Sequence, residues 1–300
     1  GLMLLVGYTG LVSLGHAAFL AIGAYAHAYF MTEGAPFVVS LIGATAVCVV
    51  IGAIVGIPSL RMTGIYLAVA TLAFAQIVEK VLAHWESVTG GHRGMAVPDP
   101  EFLSWSLGTP RIFYFVVLFV LVAALFTALN LLRSPTGRAM IAIRDSEISA
   151  QAMGIHLARV KTTAFAISAG FTGLAGGLFA HKIGYLAPDA FTILISIQLL
   201  LMVVVGGLGS LHGVIYGAVF IGLLPQGIAF LRESVPSSIG QIPGLEPGIF
   251  GLILVLFLVY EPLGIFGRWV KIRLFFSEFP LYRKSTYKRQ KSYLRTERVH

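Results

Sequence analysis

Residues 7–30 read GYTGLVSLGHAAFLAIGAYAHAYF, an apolar stretch without a single Lys, Arg, Asp or Glu. A helix needs about 20 such residues to cross a hydrocarbon core about 30 Å thick, so this stretch is long enough to span a membrane. It nevertheless contains four glycines and the polar side chains of Thr9, Ser13 and His16. Polar groups at membrane depth need partners in neighbouring helices or in a water-filled path. We therefore predict a span near 8–31 that faces protein or water and not lipid.

Uncharged apolar runs of this length recur along the whole chain. Of its 300 residues, 57% are hydrophobic and 11% are charged, and the mean hydropathy is +0.87. An average soluble domain has about 25% charged residues. The sequence therefore predicts an all-α, polytopic transmembrane helical bundle with about eight spans. Besides 8–31, these lie near 37–57, 63–82, 111–132, 160–181, 190–209, 213–231 and 245–262.

The net charge of +8 lies at the end of the chain, because residues 268–300 hold ten Lys or Arg and two Glu. A second basic stretch covers 133–161, and by the positive-inside rule both belong on the cytoplasmic face. We predict a transmembrane domain over 1–267, with a cytoplasmic loop 133–160 and an external loop 83–110, and a basic cytoplasmic tail over 268–300. Beside a membrane, this tail indicates binding to anionic lipid and not to nucleic acid. Since the sequence begins inside an apolar run, we also expect further residues before Gly1.

The spans carry few ionisable groups, which argues against catalytic and metal-binding sites within the membrane. No H-E-x-x-H, no Cys/His ligand spacing and no Ser/His/Asp order of recognisable spacing occurs, so we expect neither a metal site nor an enzyme. Nearly all carboxylates fall in loops or at span ends, which does not favour an ion-coupled carrier. The chain also lacks the ATP-binding pattern G-x-x-x-x-G-K-[ST]. Any energy for transport would therefore come from another protein.

The cytoplasmic segment 134–158 is the candidate contact for such a protein. Ser134 followed by proline is typical of a helix start, and Gly154 of a helix end. Between them, apolar residues that include Ile148 and Met153 alternate with charged ones, which predicts a short amphipathic helix. Its polar positions include Arg144, Asp145 and Glu147. Such a helix either lies on the membrane surface or docks into a soluble partner.

Several motifs together resemble a membrane permease of the branched-chain amino acid ABC importer family, LivM type. They are GYTGLVSLGHAAFLAIGAYA, GIYLAVATLAFAQIV, VTGGHRGM, GRAMIAIRDSEISAQAMGIHLARVKTTAFAISAGFTGLAGGLFA and VVVGGLGSLHGVIYGAVF, with YEPLGIFGRWVKIRLFFSEFPLY near the end. The resemblance implies a permease subunit of the bacterial inner membrane. It also implies a LivH-type second permease, two cytoplasmic ATPase subunits that use ATP and Mg²⁺, and a periplasmic solute-binding protein. This chain would itself bind no cofactor.

The resemblance also assigns roles to residues. The segment 137–158 would be the coupling helix, with Arg144, Asp145, Glu147 and Gly154 as candidate contacts to the ATPase. Thr9, Ser13, Gly15 and His16 are the candidates for the translocation pathway. Ser13 and His16 are three residues apart, so one continuous helix would place both on the same face, where they either bond to neighbouring helices or touch the solute.

Two alternatives remain for the function. The solute is a branched-chain amino acid, or it is urea, a short amide or an aromatic acid, because such importers resemble one another and cargo choice rests largely with the binding protein. A self-sufficient secondary carrier or channel for a small polar solute is the other class.

Overall fold

The structure is a computed structural model that describes residues 1–62, 64–102, 105–106, 109–233, 245–260 and 264–278. Within these residues, helices form almost everywhere that the sequence is apolar. The first helices along the chain are α1 (Leu2–Thr9), α2 (His16–Thr32), α3 (Phe37–Gly56), α4 (Ile65–His84), α5 (Glu86–Thr89) and α6 (Pro110–Arg133). They are followed by α7 (Pro135–Asp145), α8 (Glu147–Ala152), α9 (Leu157–Ile183), α10 (Ile193–Gly206), α11 (Leu211–Glu233), α12 (Leu245–Tyr260) and α13 (Gly264–Glu278).

The loops carry only short pieces of structure. Three 3-10 turns cover Pro58–Leu60, Gly91–Arg93 and Pro188–Ala190. Strand β1 (Met95–Ala96) pairs antiparallel with β4 (Tyr185–Leu186), and β2 (Glu101–Phe102) pairs antiparallel with β3 (Trp105–Ser106). The predicted loop 83–110 thus contains α5, a 3-10 turn and three of these strands. Its pairing with β4 ties the loop to the chain that follows α9.

The all-α class is confirmed, and six helical stretches of the described residues are long and apolar enough to cross a membrane. They are Phe37–Leu60, Ile65–His84, Pro110–Arg133, Leu157–Ile183, Pro188–Gly206 and Leu211–Ile228, each within a few residues of a predicted span. The last predicted span, 245–262, corresponds to the 16-residue α12. The basic cluster of the tail, 283–298, lies outside the described residues, and the start of the tail forms part of α13.

The prediction of one continuous span over 8–31 is wrong, because the chain breaks between α1 and α2. Gly10 ends α1 with φ 75° and ψ 10°, a left-handed conformation that glycine adopts without steric cost. The chain then runs in an irregular segment until α2 begins at His16. We call residues 10–15 the helix break. Of the predicted span, residues 8 and 9 end α1, residues 10–15 are irregular and the remainder belongs to α2.

The amphipathic helix predicted over 134–153 begins and ends where expected, but it is two helices. Ser134 caps α7 by accepting a hydrogen bond from the Gly137 N–H at 3.3 Å. Ser146 leaves the helical conformation and caps α8 in the same way, accepting from the Ser149 N–H at 3.2 Å. A serine side chain competes with the helical backbone in this manner, which explains the interruption. Gly154 follows α8 with φ 83°. We call α7 and α8 together the hinge pair.

Helix α9 is the centre of the bundle and packs along α2 and α3. Small residues permit this approach: a Cβ on Gly52 of α3 would lie 2.9 Å from the Phe165 carbonyl oxygen of α9 and closer still to the Ala169 Cβ. A Cβ on Gly23 of α2 would collide with the backbone of Gly173 in α9. Close backbone approach at small residues is how membrane helices gain van der Waals contact.

Candidate functional site

A buried polar cluster occupies the helix break. Ser13 Oγ lies 3.0 Å from His16 Nδ1, and His16 Nε2 lies 2.8 Å from Ser168 Oγ of α9. All three side chains are buried. Both ring nitrogens of His16 are therefore engaged, and one hydroxyl donates while the other accepts. This chain of hydrogen bonds joins the start of α2 to the middle of α9.

Backbone groups of the break are satisfied by hydroxyls from two further helices. The Leu14 N–H donates to Thr71 Oγ1 of α4 at 3.0 Å, and the Ala17 N–H donates to Ser196 Oγ of α10 at 2.9 Å. The Gly15 N–H donates to Ser13 Oγ at 3.3 Å. The first N–H groups of any helix lack intrahelical acceptors, and membrane depth offers no bulk water to replace them. Hydroxyl side chains therefore stabilise the interruption.

At the α7–α8 end of the molecule, α8 presents apolar side chains away from the bundle. Ile148 is 83% exposed and Met153 is 81% exposed. Gly154, next to Met153, has open space around its Cα, and the Asp145 side chain is 65% exposed. This exposed face of α8 is short and rigidly capped, and it lies between two membrane-spanning helices, α6 and α9.

Two charged side chains of the hinge pair point into the bundle instead. Arg144 Nη1 donates to the Gly7 carbonyl oxygen of α1 at 3.0 Å, while its Nε and Nη2 donate to Asp145 Oδ1 at 3.1 and 3.0 Å. The Lys161 ammonium of α9 lies 2.8 Å from the Glu147 carboxylate, with the lysine side chain only 2% exposed. A buried ammonium needs such a partner, because an unpaired charge in a low-dielectric site is very unfavourable.

A groove of about 940 Å³ runs along α6, α9 and α11. Its lining is almost wholly apolar, with Asp99, His181 and Lys182 at the end where α9 finishes. His181 Nε2 also lies 2.8 Å from His27 Nε2 of α2, so the two histidines join α2 to α9 near that end. An apolar groove on a membrane helix suits hydrocarbon or another helix better than a polar solute.

The sequence matches a profile described as branched-chain amino acid transport system / permease component, over residues 1–258. The chain belongs to this family. Among curated relatives, this permease is 36% identical to the high-affinity branched-chain amino acid transport system permease protein LivM of Salmonella typhimurium and of Escherichia coli. Each alignment is 290 positions long and covers 88% of this chain and 66% of the relative, so the chain spans just under two thirds of the relative's length.

Permeases with lower identity also match, and one of them is named for another cargo. A probable LivM of Methanocaldococcus jannaschii is 27% identical over 76% of this chain and 67% of its own length. The fructose import permease protein FrcC of Rhizobium meliloti is 29% identical over 39% of this chain and 33% of its own length. No solved structure matches the chain. The relatives are named as transport permeases and not as enzymes, which agrees with the expectation from the sequence.

In this permease, the predicted pathway residues Ser13 and Gly15 lie in the helix break, and Thr9 and His16 flank it at the end of α1 and the start of α2. Thr9 is at the end of α1 and donates to the Leu4 carbonyl oxygen at 2.9 Å, and a Cβ on Gly15 would collide with the Thr71 carbonyl oxygen. The shared helical face predicted for Ser13 and His16 is wrong, since Ser13 precedes α2; the two side chains meet because the irregular segment turns back. None of the four is among the residues that line the groove.

The four predicted coupling residues divide into two groups. Asp145 and Gly154 lie at the exposed side of the hinge pair, where Asp145 pairs with Arg144. Arg144 also binds the Gly7 carbonyl oxygen of α1, and Glu147 binds Lys161 of α9. Sequence reasoning missed the partners of the buried polar groups, which are Thr71, Ser168, Ser196 and Lys161. The first three are isolated hydroxyl residues within apolar spans, and the expectation that such residues find polar partners was the available signal.

Proposed function

We propose that this chain is a membrane permease subunit of an ABC importer and forms half of the translocation pathway for branched-chain amino acids or a related small solute. ATP hydrolysis in two partner ATPase subunits, with Mg²⁺, drives the transport. A second, LivH-type permease and a periplasmic solute-binding protein complete the complex, and the chain itself binds no cofactor. The observation that supports this proposal most directly is the exposed face of α8 in a chain of the permease family.

The exposed face of α8 has the chemistry of a docking site. Ile148 of the six-residue helix α8 and Met153, which follows its last residue, are both exposed, and Ser146 caps the helix. Burying one such side chain against a partner contributes about 1.5–3 kcal/mol, so two of them supply a useful part of a stable contact. Asp145 adds a charge beside the apolar pair, which restricts the orientation of the partner. The basic stretch around the hinge pair supports a cytoplasmic position, where the ATPases act.

The helix break is the candidate for the pathway half of the function. Interrupted helices in transporters place backbone groups at membrane depth, where they meet polar solutes. The N–H groups of Leu14 and Ala17 are held by single hydroxyls. Hydroxyls can be exchanged for a solute's polar groups when helices move apart. We infer that Thr9, Ser13, Gly15 and His16 border the pathway in a more open conformation.

Copurification tests the docking assignment. The tagged permease is expressed with the other four subunits, and the ATPase recovered per permease is measured for wild type, Ile148→Asp and Met153→Asp. A carboxylate on the apolar face removes at least about 1.5 kcal/mol of burial, so recovery falls roughly tenfold or more. Ala158→Asp on the exposed first turn of α9 is the matched control and leaves recovery unchanged. Equal recovery for all four proteins would show that α8 lies on lipid or in water.

The carrier or channel alternative is separated by transport itself. We expect proteoliposomes that contain the complex to accumulate solute only when ATP is present on the side of the membrane where the ATPases lie. Solute uptake by the permease alone, without ATP, would support the self-sufficient carrier and contradict the importer. The solute class follows from the binding protein, whose melting temperature is measured separately in the presence of leucine, urea and an aromatic acid. A shift with leucine alone selects the branched-chain assignment.

The basic tail is proposed to bind anionic lipid. Arg268, Lys271 and Arg273 begin the tail on α13 and are exposed. Each charge near an anionic surface contributes about 1 kcal/mol before screening by salt. Deleting residues 283–300 should therefore weaken binding of the complex to anionic vesicles at low salt but not at high salt. Unchanged binding at low salt would leave the tail without this role.

A further inference from the structure

We propose that Arg144 and Lys161 are positioning residues that connect the hinge pair to the two sides of the helix break, so that movement of α8 is transmitted to the pathway. The inference rests on the proposed function, since it assumes that the ATPases move α8. It assigns to the inward charges of this segment a role different from contact with the partner.

The first connection runs from α7 to α1. Arg144 reaches out of the last turn of α7 and donates to the Gly7 carbonyl oxygen, two residues before α1 ends. That carbonyl has lost its usual helical donor, because the Leu11 N–H bonds to Leu5 instead. A cation at a helix C-terminus also interacts favourably with the helix dipole. The arginine therefore holds the end of the helix that precedes the break.

The second connection runs from α8 through α9 to α2. Glu147 in the first turn of α8 holds the buried ammonium of Lys161 near the start of α9. Ser168 lies seven residues further along α9, which is two helical turns and nearly the same face. Its hydroxyl bonds His16, the first residue of α2. A rigid helix thus joins the salt bridge to the side that follows the break.

The burial of Lys161 supports a role beyond stability. Desolvating an ammonium largely offsets the attraction of its partner, so an apolar side chain of similar size would hold the fold as well. Ionisable residues among membrane-spanning helices are for the same reason usually functional. Both connections also leave the same short segment and end on either side of the helix break, at Gly7 and His16. A displacement of the hinge pair would therefore act on both sides of the break at once.

The experiment uses the complete complex in proteoliposomes and measures ATP hydrolysis and solute uptake in the same preparation. The variants are Lys161→Met, which fills the site with an apolar chain, and Arg144→Gln. Arg138→Gln is the matched control, because Arg138 lies on α7, is exposed and bonds only the nearby Arg133 carbonyl oxygen in the contacts described. We expect the two variants to retain the ATPases and their hydrolysis but to lose roughly tenfold in solute moved per ATP, the scale of an ordinary coupling between sites. The control keeps the wild-type ratio.

Three further measurements make the outcome decisive. The double variant Lys161→Glu with Glu147→Lys reverses the pair, so it should recover much of the ratio that Lys161→Met loses, and Arg144→Lys should recover part of the loss of Arg144→Gln. Melting temperatures of each complex separate loss of coupling from loss of folding. Unchanged solute per ATP in both single variants overturns the inference, and so does loss of the ATPases from the complex. Absence of ATP-driven uptake in wild type would contradict the proposed function instead.

Discussion

Replacing Ser168 with alanine tests whether the hydroxyl cluster stabilises the helix break. The change removes one oxygen and leaves the helix α9 backbone intact, since alanine is the best helix former. It also deprives His16 Nε2 of its partner at 2.8 Å, and that nitrogen is buried. The prediction therefore concerns one hydrogen bond and the polar group left behind.

The size of the effect follows from two limits. An unsatisfied buried polar group costs about 1–3 kcal/mol in soluble proteins. Hydrogen bonds between membrane helices average about 0.6 kcal/mol, because the unfolded chain in a membrane also finds partners. The His16 side chain is buried, so bulk water cannot replace the lost partner. We therefore expect the unfolding free energy to fall by about 1–2 kcal/mol, between the average for membrane helices and the upper value for soluble proteins.

Unfolding of the purified permease in lipid bicelles, followed by denaturant titration, measures this loss. Thr163→Ala is the control on the same helix: Thr163 is exposed and bonds only its own helix, at the Val160 carbonyl oxygen, so its removal should stay within about 0.5 kcal/mol of wild type. On a His16→Ala background, Ser168→Ala should add little, since the interaction is already gone. The reasoning is refuted if Ser168→Ala matches Thr163→Ala, or if its cost is the same with and without His16.

Three further predictions concern packing and backbone. Gly52→Ala should destabilise the permease by about 1–3 kcal/mol in the same titration, because the new methyl group meets α9. The control, Gly222→Ala on α11, adds a methyl group to open space and should be neutral or slightly stabilising. Gly10→Ala should lose about 1–2 kcal/mol, because alanine is strained at φ 75°; a gain in stability would contradict the left-handed end of α1. Cys48 is the only cysteine and is fully buried, so a maleimide should label it only after denaturation, and rapid labelling of the native protein would contradict the packing of α3 on α2 and α9.

The spans were predictable because the length of an uncharged apolar run decides them. Water-free hydrocarbon requires satisfied backbone groups, and an uncharged run of about 20 residues meets that requirement only as a helix. Six of the predicted spans are found as such helices. Two of the eight are not: 245–262 corresponds to the 16-residue α12, and 8–31 is interrupted at Gly10, where a left-handed residue ends α1. Average apolarity does not register such a backbone position. The polar residues of the stretch predicted contact with protein or water, and they lie at the interruption.

The site was less predictable for a related reason. Thr9, Ser13, Gly15 and His16 could be chosen because they are close in sequence. Ser13 bonds both His16 and the Gly15 N–H, whereas Thr9 bonds within α1. Their partners Thr71, Ser168 and Ser196 come from three other helices, and no local pattern indicates which isolated hydroxyl will face the break. Similarly, the charges of the hinge pair look equivalent along the sequence. Only the fold shows that Arg144 and Glu147 bind residues of α1 and α9, whereas Asp145 is exposed and pairs with its neighbour Arg144.

The two kinds of polar contact differ in strength, and the difference suits a moving part. The break is stabilised by single bonds between neutral groups, each contributing about 0.5–1.5 kcal/mol, so a rearrangement there costs little per bond. The connections at Arg144 and Lys161 involve charged groups, whose hydrogen bonds contribute about 1.5–3 kcal/mol, and separating the buried Lys161 from Glu147 would leave a charge poorly solvated. Displacing the hinge pair is therefore expected to rearrange the single hydroxyl bonds at Leu14 and Ala17, which lie outside the two connections, before it separates α8 from the bundle.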